Sequence, residues 1–322
     1  MENKEELKLL RARSMASVVS DGYRLYMSSF RQLFRSSWIV AIVYALAFAL
    51  MMGTIVNYLI PMQTTLQNFG SGAVSANPSM MANMLLVSVS SMFYLLASAL
   101  LAAQAVHVFR EHSVSDEVSR PQHWYGRLCL KAFVRIVLVG VWLFLLSVVI
   151  EIVFYAVGIG ILAMGVVGSI TKSIASIVLL FVLFIIVAVL TVPLAYTVIR
   201  ALMDRKLVAL PPVKGYGLGM RHWGMLFAVA FIVAVFTWLL SMVCELPAVI
   251  MTVANAKAYA GLALGDPLGM PDSMVPMTYC VFTVAGFIQA YVHLSSLYPF
   301  YYAYGSIELQ QQERQTRMTI EE

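Results

Sequence analysis

The chain has 322 residues, of which 61% are hydrophobic and only 11% charged. A soluble domain is about 25% charged, so a water-soluble globule is excluded and apolar runs longer than 20 residues point to a helical membrane protein. The net charge of +5 is read as a sorting and lipid-facing feature, because no basic segment outside the runs is large enough to bind nucleic acid.

Residues 1–35 are charged and amphipathic, with no small-residue cleavage site after a short apolar core, so they are not read as a cleaved signal. On a helix over Val18 to Arg35, Arg24, Ser28, Arg31 and Arg35 share one face. Val19, Tyr23, Tyr26, Phe30, Leu33 and Phe34 form the opposite stripe. This pattern predicts an interfacial helix, with rings down and guanidinium groups toward lipid phosphates. Each basic residue at an anionic leaflet is worth about 1 kcal/mol.

Six spans follow, at about Trp38 to Ile60, Met84 to Val108, Ile136 to Val157, Ile177 to Ile199, Trp223 to Leu246 and Met277 to Phe300. Backbone groups cannot stay unpaired in hydrocarbon, so each must be a helix. An outer-membrane barrel would alternate in hydropathy, and these runs do not. In the second span Ser88, Ser90, Ser91, Ala97, Ser98, Ala99, Ala102 and Ala103 suggest a central, closely packed helix. Gly158, Gly160, Gly165 and Gly168 mark the turn between spans three and four, and Pro193 a kink in span four. Of the 21 Lys and Arg, all but Lys172 and Lys257 fall on one side of this layout. The positive-inside rule then puts both termini in the cytoplasm. The resulting division is a cytoplasmic N-terminus over 1–35, a transmembrane domain over 36–304 and a cytoplasmic tail over 305–322.

A repeat crosses this layout. DGYRLYMSSFRQLF, from Asp21, and KGYGLGMRHWGMLF, from Lys214, each precede an apolar run. With Gly22 set on Gly215, ten of 25 positions are identical. A weaker copy from Trp124 to Val137 places Arg127, Lys131 and Arg135 on one face. The fold class is therefore read as an all-α polytopic membrane protein. Its six spans form three parallel units, each an interfacial elbow followed by a helical hairpin, over 14–110, 116–205 and 210–310. Parallel units differ from the inverted repeats of many transporters.

The opening Tyr23, Arg24, Tyr26, Phe30, Leu33 and Phe34, with the closing Tyr301, Tyr302 and Tyr304, resemble a bacterial family. It is the six-span membrane domain that accompanies some glycerophosphodiester phosphodiesterases, together with related integral membrane proteins. The likeness is one of layout over most of the chain. The phosphodiesterase domain is missing from this sequence, so its catalysis does not transfer. The resemblance implies a multi-pass protein of the bacterial cytoplasmic (inner) membrane, working near lipid metabolism or envelope maintenance.

Two acids fall in or beside the runs. Burying one costs at least about 2.5–3.5 kcal/mol on insertion scales, which makes each a functional candidate. Glu151 is the deeper; Glu245, followed by Leu246 and Pro247, reads as interfacial. His293 lies well inside span six, and with Gln289 and Ser296 it makes a polar stripe suited to bonding between helices. His107 and His112 stand five apart, too few for a metal centre. Cys129, Cys244 and Cys280 have no paired spacing. No metal or cofactor is expected, and no H-E-x-x-H, G-x-S-x-G or Walker motif is present. The Tyr298 to Tyr304 cluster reads as an interfacial aromatic belt. Three functions are open. The first is a non-enzymatic protein of lipid or envelope homeostasis, touching lipid phosphates through Arg24, Arg31, Arg35, Arg127, Lys131, Arg135 and Arg221. The second is a permease using Glu151, partnered by another membrane or ATPase subunit. The third, for which converging groups are lacking, is an intramembrane enzyme.

Overall fold

The structure, a computed structural model, describes Leu9 and residues 13–59, 78–115, 127–163, 170–204, 215–263 and 271–321. Its elements are all helical. Helix α1 spans Met15–Thr54 and runs on as a π-helical turn, Ile55–Leu59; α2 is Pro78–Ser115, α3 Arg127–Ala163 and α4 Ile170–Met203. A short α5, Tyr216–Arg221, precedes α6, Trp223–Ala263; α7 is Met274–Ser295 and α8 Leu297–Glu321. Six stretches are long and apolar enough to cross a membrane: Met15–Tyr58, Met81–Ser113, Ala132–Ile161, Ser176–Met203, Trp223–Gly261 and Met274–Ile320. By length and hydropathy the chain is a multi-pass membrane protein. Most of the segment between the first two spans lies outside the described residues, as do Gly165 and Gly168 of the expected turn between spans three and four.

The expected first elbow is not a separate element. Helix α1 runs without a break through Arg35. At the junction, Ser36 Oγ donates to the Leu33 carbonyl at 2.7 Å, and so stays within its own helix. Arg24, Arg31 and Arg35 are exposed, as the periodicity requires. Much of the opposite stripe turns into protein instead of lipid. Tyr26 meets Tyr298 edge-on at 5.1 Å, and Phe30 and Phe34 lie 5.7 and 5.5 Å from the Tyr291 ring.

The chain divides into two compact units. One comprises Met1–Met27, Val106–Val233 and Tyr298–Glu322; the other comprises Ser28–Ala105 and Ala234–Leu297.

The first unit is built on the α8 tyrosines. Tyr298, Tyr301 and Tyr302 are fully buried, so they are core residues and not an interfacial belt. Each hydroxyl-bearing ring can bury its carbon face where its polar tip finds a partner. Tyr301 stacks on Phe109 at 4.4 Å, donates to the Phe109 carbonyl at 3.0 Å, and bonds His112 Nδ1 at 3.1 Å. The Arg13 guanidinium lies over Tyr302 at 4.4 Å and pairs with Asp21 at 2.8 Å. Gly22 admits this packing, since a Cβ there would come within 2.7 Å of the Pro299 backbone.

The second Gly-Tyr stretch does something else. Pro193 sits inside α4 and has no N–H to give the Val189 carbonyl. Trp223 Nε1 donates to that carbonyl at 3.1 Å, and Tyr216 Oη donates to the next, Leu190, at 2.8 Å. Gly215 turns the chain into α5 at φ +101°, with Arg200 Nη1 where its Cβ would stand. Gly22 is mid-helix and Gly215 left-handed, so the aligned glycines differ in backbone geometry, whereas Tyr23 and Tyr216 are both helical. At this junction burial, with like charge from Arg314 and Arg221, holds the His222 imidazole below the ordinary histidine range.

In the second unit Phe48, Ala49, Val56, Ala248, Phe282 and Ala285 make a buried cluster. Gly286 lets α1 and α7 approach, since a Cβ there would meet Phe48 at 2.8 Å. The second span is not the central helix its small residues suggested. Ser90, Ala97 and Ala103 are buried, Ser88 is exposed, and only 17% of its apolar window is covered, against 50% for the first and last spans. Aromatic and glycine contacts on α1 and α7 outweigh a stripe of small residues.

Replacing Trp223 by Phe keeps a ring and removes the donor to Val189. We expect a loss of about 1 kcal/mol, read as a lower melting temperature in detergent. Pro193→Ala restores a backbone N–H, so the same change should cost less in that background.

Candidate functional site

Helix α6 does not stop at Pro247, which lies inside it. Prolines are tolerated within spans because neighbouring groups take up the freed carbonyl. Glu245 therefore stands near the middle of α6, with helix continuing on both sides of it. Its carboxylate accepts a hydrogen bond from Gln289 Nε2 on α7. Gln289 is 9% exposed and Glu245 half-buried, so the bond is partly shielded.

The surroundings of Glu245 are polar but neutral. Thr237, Ser241 and Glu245 follow at four-residue steps and share a face of α6. The buried hydroxyls of Thr237 and Ser241, and the Gln289 carbonyl oxygen, have no hydrogen-bond partner among the described residues. Tyr44, 2% exposed, bonds Tyr94 hydroxyl to hydroxyl at 2.9 Å. Tyr44 and His293 both lie within electrostatic range of the Glu245 carboxylate. Two of the sequence candidates, Glu245 and His293, thus share one neighbourhood, with Gln289 joining the helices that carry them. The His293 side chain is itself exposed.

The other candidates lie elsewhere. Glu151, in the first unit, is exposed on α3 beside the exposed Ile152 and Tyr155. Arg221 is exposed, like Arg24, Arg31 and Arg35, whereas Arg135 is 8% exposed and buried in the first unit. Its helix turns Arg135 inward, where the Asp204 charge acts on it. The side chains of Arg127 and Lys131 lie outside the described residues. Among the described residues no three His, Cys, Asp or Glu converge as metal ligands. Sequence reasoning missed Tyr44, Tyr94, Asn57 and Asn255. The asparagines could have been found as amides standing in or beside apolar runs.

No family model matches the chain, and no curated protein or solved structure matches it either. The layout shared with the phosphodiesterase-associated domain therefore identifies no family.

A carboxylate held by one neutral amide can accept a proton or hold a cation at little reorganisation. Removing its donor leaves a half-buried carboxylate short of a bond, at a cost of about 1–3 kcal/mol. Gln289→Leu should lower thermal stability by that amount. In a Glu245→Leu background the same change should be close to neutral, a double-mutant cycle that isolates the pair.

Proposed function

We propose that the protein is a non-enzymatic membrane permease that takes up and releases a proton at Glu245. The reading rests on one observation: a carboxylate well inside a membrane-length helix bonded to a neutral amide on another. An ionised acid in hydrocarbon is costly, and evolution retains such groups chiefly on ion or proton paths. Neutral partners let the carboxyl gain or lose its proton without leaving a paired cation stranded. An inward-facing cytoplasmic placement of both termini, in a bacterial inner membrane, belongs to the same proposal and is supported by the Lys and Arg asymmetry. The test is potential-driven proton uptake into liposomes carrying the purified protein. Uptake should exceed that of empty vesicles, fall to their level in Glu245→Gln, and persist in Glu151→Gln. Equal uptake by native protein and Glu245→Gln would remove the assignment.

A different observation favours a second reading, a role in lipid or envelope homeostasis. Arg24, Arg31 and Arg35 are exposed along one face of α1, the arrangement that attracts anionic headgroups. In nanodiscs of mixed lipid the native protein should retain anionic lipid on mild release, less so as salt rises. Replacing the three arginines by Gln should abolish the preference; an unchanged lipid profile would count against this reading.

A further inference from the structure

We propose that Asn57, Asn255 and Tyr259 hold a cluster of bound water, and that protons reach Glu245 from it. Asn57 lies in the π-helical turn that ends α1, and such turns are frequent at functional sites. It is 1% exposed, yet neither its Oδ1 nor its Nδ2 has a hydrogen-bond partner among the described residues. Its backbone carbonyl accepts from Tyr259 Oη at 2.6 Å. One turn earlier on α6, Asn255 is wholly buried and donates to Thr278 Oγ1 at 2.8 Å and to the Met251 carbonyl at 3.2 Å. Its Oδ1 has no partner among the described residues. One turn before Asn57, Thr54 meets the Tyr279 hydroxyl at 3.3 Å.

The π-helical turn and α6, joined by the Tyr259–Asn57 bond, thus carry one amide donor and two amide acceptors that are buried and have no partner among the described residues. Leaving such groups dry is costly. Water, with two donors and two acceptors, satisfies both kinds at once, as buried waters commonly do. A bare cation would suit the two oxygens and be repelled by the Asn57 amide hydrogens. An apolar occupant would satisfy none.

Helices α1, α6 and α7 carry Glu245 and its neighbours one level away. Ten residues of α6 separate Asn255 from Glu245, about 15 Å of helix. Between the levels stands the apolar cluster. Phe48 falls between Tyr44 and Asn57 on α1, Ala248 between Glu245 and Asn255 on α6, and Phe282 and Ala285 between Thr278 and Gln289 on α7. The Phe48 and Phe282 rings lie 6.1 Å apart. This order, polar, apolar, polar, is that of a hydrated site facing a protonatable one across a dry layer that gates by wetting. The water site stands on its own geometry; its role in feeding Glu245 rests on the permease reading.

Hydroxyl-radical footprinting of the full-length protein in nanodiscs separates the two. Radicals formed at bound water label adjacent side chains, so Met251, although 8% exposed, should be oxidised severalfold faster than the buried Tyr302. Asn57→Leu and Asn255→Leu should each cut labelling of Met251 and Tyr259 severalfold and leave Tyr302 unchanged. Met251 labelled no faster than Tyr302 in the native protein would overturn the site with no variant needed. Labelling quenched when sodium replaces potassium would make it a cation site and overturn it equally. For the feeding role, Asn57→Leu should slow proton uptake severalfold and Phe282→Ala should speed it. Lost labelling with unchanged uptake would overturn that role, whereas a native protein that labels as expected but moves no protons would overturn the permease reading alone.

Discussion

Inside long apolar helices every polar group must find its partner within the protein, and most of this structure follows from how that is done. The Val189 carbonyl shows the rule at the backbone. Pro193 deprives it of a donor, and the Trp223 indole, reached only across a left-handed glycine and a six-residue helix, supplies one. An amide hydrogen bond is worth about 4–6 kcal/mol in an apolar medium, enough to make an otherwise odd run of glycines and aromatics worthwhile. Tyr301 applies the rule to side chains: its hydroxyl lies within bonding distance of both the Phe109 carbonyl and His112 Nδ1. Against that background the buried side-chain atoms of Thr237, Ser241 and Gln289 near Glu245, and of Asn57 and Asn255, stand out for having no partner among the described residues.

Coverage is uneven along the chain. Half of the apolar window is buried in the first and last spans, but only 6% in the third and fourth. Helices α3 and α4 therefore present nearly all of their apolar surface outward, and lipid or another chain must cover it. A charged side chain such as Glu151 on that surface meets a different environment from Glu245. It can extend along its helix toward an interface, as long polar side chains do, while Glu245 is tied to a buried amide on a neighbouring helix. Depth in sequence is a poor proxy for enclosure, because enclosure depends on which face of a helix another helix happens to cover.

The membrane class and the six-span layout were legible because they depend on sums over 20 or more residues, which local detail hardly perturbs. The exposed face of Arg24, Arg31 and Arg35 was legible from 3.6-residue periodicity alone. What periodicity does not carry is whether the opposite face meets lipid or protein: Tyr26 and Leu33 of that stripe, and Tyr298, Tyr301 and Tyr302 of α8, are buried in protein, whereas Phe34 is exposed. Helix ends were misjudged for a related reason. Pro247 is a stop signal in water, where a broken helix is rehydrated; where neighbouring groups take up the freed carbonyl, the helix can run on. Helix α6 runs past Leu246 and Pro247 to Ala263, so Glu245 stands mid-helix and not at a helix end.

The paired Gly-Tyr motifs show how similar letters can arise from different constraints. Gly22 is small because Pro299 lies against it in the middle of a helix; Gly215 is small because its φ is +101° and Arg200 fills the space of a side chain. Tyr216 caps a carbonyl beside a proline, and the burial of Tyr23 owes nothing to that role. A duplicated unit would preserve backbone conformation longer than sequence, since the fold constrains geometry and only indirectly the residues that meet it. At the glycines the letters agree and the geometry does not: the residue without a side chain meets a close approach at Gly22 and a left-handed turn at Gly215, while Tyr23 and Tyr216 are both helical.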